Sequence, residues 1–188
     1  MKGKLTSSQL DYVLEHIGHH APLGKHLSLA YGPKPDPDKP SIYIPASEEE
    51  LDLNKVIRID GIPVLYPVEQ VSDSFFSLQE NSLHFHHDLL KSIFHLLSGY
   101  EEIKNKTRDE YGRFPYAQSL QYKLNIMDKP VVNYYMEIII SGIRQFCKKN
   151  QLPFRRNPLR KKTSLMLSHD VDLINAYDFK ETAYKFKQ

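Results

Sequence analysis

Apolar residues recur at helical spacing in three parts of the chain. Over residues 8–20 they follow an i, i+3, i+4, i+7 series after two hydroxyl side chains, which predicts an amphipathic helix with an N-terminal cap. Over residues 83–100 the apolar positions share one helical face, and Gly99 stands near the predicted end. A third helix is predicted over residues 130–149, where Pro130 occupies a tolerated first-turn position. The last two are the long helices of the predicted fold.

Shorter apolar segments have the character of strands. Residues 27–31 and 42–44 predict two strands on either side of a proline-rich loop. Residues 56–59 and 62–66 flank an Asp-Gly pair and resemble a hairpin, and residues 163–167 predict a short buried strand. The predicted fold class is therefore α/β, or α+β, with a small mixed sheet packed by two long helices.

Composition narrows the classes of protein. The chain has 188 residues and a net charge of +2, so it suits one compact domain and carries no overall basic surface for nucleic acid or an anionic membrane. Its single cysteine, Cys147, excludes an intrachain disulfide and is predicted to be a core residue. We find neither a run of about 18 apolar residues nor an export signal, which predicts a cytoplasmic protein without a membrane span.

Histidines form two clusters that invite a metal hypothesis. A zinc site needs three or four converging ligands, and two histidines at i, i+4 spacing share one helical face. The alternative is a histidine-rich polar face near the ends of helices. The two clusters are His16, His19 and His20, and His84, His86 and His87.

Glu101 and Glu102 form a second candidate group. Adjacent residues of a helix point about 100° apart, so the two carboxylates are a poor general acid and base for one substrate. We therefore expect one of them to form an ion pair with a basic residue such as Arg113.

The sharpest local signal is His169, Asp170 and Asp172, which follow the predicted strand 163–167. The carboxyl end of a strand is where α/β folds present catalytic groups. Two converging carboxylates can hold a divalent metal, or one can hold the metal while the other takes a proton from metal-bound water. A capping or turn role is the alternative, because Asp-x-Asp is a common sequence.

Several separate motifs then occur in a characteristic order. They are LLSGYEE at residues 96–102, DEYGRF at 109–114, SLQYK at 119–123 and KPVVN at 129–133. Together, over about residues 30–180, they resemble an uncharacterised bacterial domain that precedes polysaccharide deacetylase catalytic domains. The segment LSHDVD at residues 167–172 is similar to the first motif of that catalytic domain, the NodB-homology fold.

The resemblance implies roles for particular residues. It makes Asp170 the catalytic base and Asp172, with His169 beside it, a ligand of a divalent metal such as zinc. A metal-bound water would attack the acetyl carbonyl of a glycan while the base removes its proton. A structural or binding motif falls on Glu101, Glu102, Arg113 and Lys123.

Length sets this chain apart from a complete deacetylase. The family completes its metal site with a later His-x-x-x-His motif, whereas only sixteen residues follow Asp172 and none is histidine. We therefore expect residues 1–158 to be an accessory N-terminal domain and residues 159–188 to be the first strand and helix of a truncated barrel. On this hypothesis the divalent metal belongs to a full-length parent, and this chain alone is inactive and holds no metal tightly.

Other functions stay open from sequence. The partner is an acetylated glycan or a following catalytic domain, and the rival hypothesis is a non-enzymatic protein- or glycan-binding module. A third is a decayed fragment without independent activity. Apolar residues within 176–186 predict self-association through the last helix.

Overall fold

The described part of the protein begins with a helix, continues through six short strands and ends in four helices. A computed structural model describes residues 1–24, 26–33, 41–68 and 73–157. The strands are β1 (Ser28–Tyr31), β2 (Ser41–Ile44), β3 (Ile57–Ile59), β4 (Ile62–Val64), β5 (Phe76–Leu78) and β6 (Ser82–Phe85). The helices are α1 (Ser7–His20), α2 (Leu89–Leu97), α3 (Tyr100–Lys104), α4 (Leu120–Lys123) and α5 (Val131–Lys149), with 3-10 turns at Leu53–Lys55 and Tyr116–Gln118.

The strands form a four-stranded mixed sheet and a separate hairpin. In the sheet the order is β1-β2-β6-β5, with β1 and β6 parallel to β2 and β5 antiparallel to β6. In the hairpin, β3 and β4 pair antiparallel around the predicted Asp-Gly turn. The predicted α/β class with a small mixed sheet packed by helices is confirmed.

Helix α5 packs closely on the sheet through a glycine. A Cβ atom at Gly142 would lie 3.1 Å from Cζ of Phe85 and 3.4 Å from the methyl groups of Leu83, both on β6. Strand β2 is buried at all four positions, and the main apolar core joins this sheet to α1, α2 and α5. The close contact explains why a residue without a side chain occupies the middle of a long helix.

The predicted helix over residues 83–100 is wrong at both ends. Residues 83–85 belong to β6, where burial alternates along the strand with a period of two, and α2 begins only at Leu89. The Asp88 carboxylate accepts the backbone N–H of Lys91, which marks the start of the helix. At the other end Gly99 has φ +62° and separates α2 from the short helix α3.

Other predicted elements agree closely with the structure. The helices predicted over 8–20 and 130–149, the strands over 27–31 and 42–44 and the hairpin all exist within a few residues of the predicted bounds. Cys147 is fully buried, as predicted. Strand β5 was not predicted. No helix in the described segments is long and apolar enough to cross a membrane.

Several predictions fall on residues outside the described part of the chain. They concern the strand over 163–167, the residues His169, Asp170 and Asp172, and self-association through residues 176–186. The described residues all belong to the compact unit Met1–Asn157.

Candidate functional site

A buried carboxylate at the start of α2 connects three parts of the chain. Asp88 is fully buried, and its oxygens accept the N–H of Ser47 at 2.8 Å, the N–H of Lys91 at 2.9 Å and the hydroxyl of Tyr31 at 2.8 Å. Burial raises the pKa of the Asp88 carboxyl to about 6, although these hydrogen bonds favour the charged form. Asp88 thus caps α2 and holds the loop after β2 against it.

Lys91 lies one turn later and is also fully buried. Its Nζ donates to the carbonyl oxygens of Gly3, Ser47 and Glu49 at 2.8, 2.8 and 2.7 Å. It also lies 4.4 Å from the ring centre of Tyr66. An ammonium group has three N–H donors, so this group has no donor left for a ligand. We call Asp88, Lys91, Tyr31 and Tyr66 the Asp88–Lys91 network.

His95 links this network to an open cavity. The hydroxyl of Tyr66 and Nδ1 of His95 share a hydrogen bond of 2.7 Å, and His95 is only 5% exposed. Burial lowers the pKa of His95 to about 4, so its imidazole is neutral at pH 7. The second ring nitrogen, Nε2, makes no hydrogen bond to any described residue, while the side chain lines the cavity.

The cavity, which we call the His95 pocket, has a volume of about 350 Å³. Its walls come from the end of α2, from α3, from the turn and helix at residues 116–123, and from the loop after β2. The lining residues mix aromatic, aliphatic, amide and charged side chains: Met1, Glu50, Leu51, Leu53, His95, Tyr100, Glu101, Lys104, Asn105, Phe114, Gln118, Leu120 and Lys123.

Glu101 and Lys123, two of the residues singled out by the family resemblance, meet in this pocket. The Oε2 atom of Glu101 accepts the backbone N–H of Leu120 at 2.7 Å, which joins α3 to the start of α4. Burial raises the pKa of Glu101, whereas this hydrogen bond and the charge of Lys123 act in the opposite direction. Glu102 is exposed and does not line the pocket.

The expected ion pair between Arg113 and Glu101 or Glu102 is wrong. Arg113 Nε instead donates to Asp109 at 3.1 Å, and the Arg113 side chain is 69% exposed. Asp109 also accepts the N–H groups of Tyr111 and Arg113 within a tight turn in which Gly112 has φ +74°. This local turn supplies a carboxylate four residues away, so Arg113 does not reach α3.

The histidine clusters are used for other contacts. His16 Nδ1 is hydrogen bonded to the Tyr12 carbonyl at 2.8 Å, and the His86 nitrogens contact the Ser74 carbonyl and the Ser77 hydroxyl at 3.0 Å each. Within the described ranges no group of three or more His, Cys, Asp or Glu side chains is arranged to hold a metal ion. The predicted metal ligands His169 and Asp172 and the predicted base Asp170 lie beyond those ranges.

Comparison with known proteins places this architecture in a family. Residues 4–148 match the model of a Family of unknown function (DUF7033). The chain belongs to this family. No curated protein and no solved structure matches the chain. The DUF7033 match includes the Asp88–Lys91 network and every residue lining the His95 pocket except Met1.

The match carries no statement of activity. It shows an uncharacterised domain over most of the chain. It does not connect this domain to deacetylases, so that connection stays a proposal. For a DUF7033 domain, function has to be argued from the site itself.

Sequence reasoning missed Asp88, Lys91, Tyr66 and His95. A polar residue just before an apolar helical face is a capping signal, and Asp88 has that position. The apolar residues Leu83 and Phe85 obscured this signal, because they led to a helix predicted from residue 83. For Lys91 and His95 no local signal exists, since their partners lie far away in sequence.

Proposed function

We propose that this domain is a non-catalytic module that binds a glycan in the His95 pocket and that it serves a metal-dependent glycan deacetylase in a longer parent protein. The observation that carries the proposal is the His95 pocket with its neutral, buried imidazole and its open Nε2. A volume of about 350 Å³ is at the small end of the usual range for small-molecule sites, roughly 300–1,000 Å³.

The chemistry of the walls favours a sugar. A sugar ring presents hydroxyl groups around apolar C–H faces, so its site offers hydrogen-bond donors and acceptors beside an aromatic surface. The amides of Asn105 and Gln118 and the imidazole of His95 offer such polar groups. Phe114 and Tyr100 supply the aromatic surface.

Among the described residues, the same walls lack a hydroxyl or thiol nucleophile of the serine, threonine or cysteine type. Glu101, one of the two carboxylates that line the pocket, is hydrogen bonded to the backbone of α4. The described residues also fit no metal, so the proposal contains no metal-dependent step for this part of the chain.

The deacetylase connection rests on the sequence resemblance. In that proposal His169 and Asp172 belong to the metal site and Asp170 is the base of a deacetylase catalytic domain. The accessory domain would bind an acetylated glycan on which the catalytic domain acts. Acetate release by the 188-residue chain alone would contradict this division of labour.

A protein-binding role is the second candidate. Tyr111 is 71% exposed, and the guanidinium of Arg113 lies 4.6 Å from its ring centre. Exposed tyrosine and arginine are the residue types that most often dominate protein interfaces. On this alternative, Arg113→Ala weakens capture of the catalytic domain and leaves glycan binding intact.

Calorimetric titration of the 188-residue chain tests the proposed function. The probes are β-1,4-linked N-acetylglucosamine oligomers and acetylated xylan oligomers. We expect binding of at least one series, weakened at least tenfold by Phe114→Ala because the variant removes an aromatic wall. Tyr134→Ala is the matched control, since Tyr134 is an exposed aromatic on α5 that does not line the pocket. Failure of both series to bind would overturn the proposal, as would equal affinities for wild type and Phe114→Ala.

A further inference from the structure

The hydrogen bond between Tyr66 and His95 determines which nitrogen of the imidazole carries a hydrogen. A neutral imidazole has one N–H donor and one bare acceptor nitrogen, and the partner of one nitrogen selects the tautomer. The hydroxyl oxygen of Tyr66 lies 2.7 Å from Nδ1 of His95. Burial, followed by the positive charges of the N-terminus and Lys91, lowers the pKa of His95 to about 4, so the ring is neutral at pH 7.

The surroundings of the Tyr66 hydroxyl favour one direction for this hydrogen bond. Tyr66 is 2% exposed, and no other described residue is hydrogen bonded to its hydroxyl. If Nδ1 of His95 were the donor, the hydroxyl hydrogen would be buried without an acceptor, which costs free energy. If the hydroxyl is the donor, its hydrogen is satisfied by Nδ1. The second arrangement leaves the hydrogen of the neutral ring on Nε2.

Nε2 of His95 is accessible from the His95 pocket. The side chain lines the pocket, and Nε2 has no hydrogen-bond partner among the described residues. It is also not one of the fully buried polar atoms without a partner, so part of this atom remains open to solvent. Because His95 as a whole is only 5% exposed, the protein holds the ring in place before any ligand arrives, which lowers the entropic cost of binding.

We propose that Tyr66 holds His95 in the Nε2–H tautomer and that this N–H donates to the acetyl carbonyl oxygen of the bound glycan. The inference rests on the proposed function and adds the chemical state of the ligand. The pocket prefers the acetylated sugar, which is the substrate of a deacetylase, over the deacetylated product. In this arrangement His95 is a binding residue, and Tyr66 is a positioning residue that acts through it.

The acetyl carbonyl is the ligand group for which a fixed donor matters most. Its oxygen has lone pairs and no hydrogen, so it can only accept, whereas a sugar hydroxyl can donate or accept and suits either tautomer. The amine that N-deacetylation leaves has no carbonyl oxygen, and in its protonated form it has only donors. Glu50 and Glu101 also line the pocket and attract a cation, so the test has to separate charge from the carbonyl.

Nitrogen-15 NMR of the labelled 188-residue chain tests the tautomer without any ligand. Protonated and bare ring nitrogens differ in chemical shift, and the His95 signals are identified by their absence from His95→Gln. At pH 7 we expect a protonated Nε2 and a bare Nδ1 in the wild type. Tyr66→Phe keeps the ring and removes the hydroxyl, so the two shifts are expected to move towards each other as both tautomers become populated. A protonated Nδ1 in the wild type would overturn the proposal.

Calorimetric titration tests whether this donor selects the acetyl group. The ligand pairs are the β-1,4-linked N-acetylglucosamine trimer with its N-deacetylated form, and acetylated xylotriose with xylotriose. Both members of the xylotriose pair are uncharged, so a preference within that pair does not come from the charges of the pocket. In the series that binds, we expect the acetylated form to bind the wild type at least tenfold more tightly. Tyr66→Phe is expected to reduce that preference at least threefold.

Tyr135→Phe is the matched control. Tyr135 is also fully buried, its hydroxyl donates to the Pro63 carbonyl, and neither residue lines the pocket. This variant removes a buried hydroxyl as Tyr66→Phe does, but it is expected to leave the His95 shifts and the acetyl preference unchanged. A thermal melt checks the fold of each variant, and the two wild-type measurements test the proposal even if a variant does not fold.

Contrary outcomes separate this inference from the proposed function. Equal or tighter binding of the deacetylated form, or a preference that Tyr66→Phe leaves unchanged, overturns the role of the Nε2–H donor and leaves glycan binding in the pocket standing. If neither series binds in either state, both proposals fall.

Discussion

The Asp88–Lys91 network and the His95 pocket are neighbours joined by one hydrogen bond. They differ in whether their buried polar groups have all their hydrogen-bond partners within the protein. In the network, the Asp88 carboxylate and the Lys91 ammonium find partners within the protein. In the pocket, His95 leaves Nε2 open to the cavity. A saturated buried group stabilises the fold, whereas a buried group with an open nitrogen is available to a ligand. Lys91 is thus a structural residue of α2, whereas His95 is its candidate ligand-binding residue.

The largest effect is expected from breaking the network at Lys91. Lys91→Met removes the ammonium and leaves three carbonyl groups without their donor and the buried Asp88 without its nearest positive charge. We expect a loss of about 3–5 kcal/mol in the free energy of unfolding, measured by urea denaturation. Lys55→Met is the control, because Lys55 forms an exposed pair with Glu49 and its loss is expected to have no measurable effect. Equal stabilities of the two variants would show that Lys91 is not saturated as described.

The next prediction uses pH, because Asp88 and His95 oppose each other. Asp88 has its pKa raised from 3.8 to about 6, so its contribution to stability is present below pH 4 and is lost as pH rises through 6. His95 has its pKa lowered from 6.5 to about 4, so its contribution is present above pH 6.5 and is lost as pH falls through 4. Each contribution amounts to about 3 kcal/mol.

Single variants expose the two opposing slopes. In Asp88→Asn, stability between pH 4 and 6.5 is expected to rise with pH more steeply than in wild type, because the His95 contribution is unopposed. In His95→Asn it is expected to fall with rising pH, because only the Asp88 contribution remains. Urea denaturation at half-unit steps of pH measures both. Parallel pH profiles for the two variants would contradict the assignment.

A smaller effect is expected at Ser119, which belongs to the pocket region. Ser119→Ala removes the hydroxyl that accepts the N–H of Tyr122 at the start of α4. Loss of such a cap costs about 1 kcal/mol in the free energy of unfolding. Ser119→Asn restores a capping acceptor and is expected to recover most of that stability. A circular dichroism melt of both variants decides whether the cap operates.

The smallest effect is expected at Arg113. Arg113→Ala removes an exposed pair with Asp109 and is expected to change the free energy of unfolding by less than about 0.5 kcal/mol. Asp109→Ala is expected to cost more, about 1 kcal/mol, because that carboxylate also accepts two backbone N–H groups of the turn. A large loss in the free energy of unfolding of Arg113→Ala would instead support the ion pair with Glu101 or Glu102 that the sequence predicted.

The fold was predictable where periodicity is continuous and a start signal is present, which is a capping hydroxyl for α1 and Pro130 for α5. The prediction was wrong around residues 83–88, because Leu83 and Phe85 of a short strand extend the apolar pattern of the helix after it and only Asp88 marks the boundary. Strand β5 has three residues, too few to show a period.

The site was predictable only in part, for reasons of distance along the chain. Glu101 and Lys123 came from the family resemblance and do line one pocket. Lys91 and His95 could not be predicted, because burial of a lysine or a histidine depends on partners that a local sequence pattern does not contain. Gly3 and Tyr66, which satisfy them, lie 88 and 29 residues away.

That separation also has a kinetic consequence. The Lys91 ammonium finds its acceptors only after segments 42 to 88 residues apart have come together. Before these contacts form, water is the hydrogen-bonding partner of the ammonium group. Loss of Lys91 is therefore expected to speed unfolding much more than it slows folding. This ammonium group thus contributes mainly to the kinetic stability of the native state.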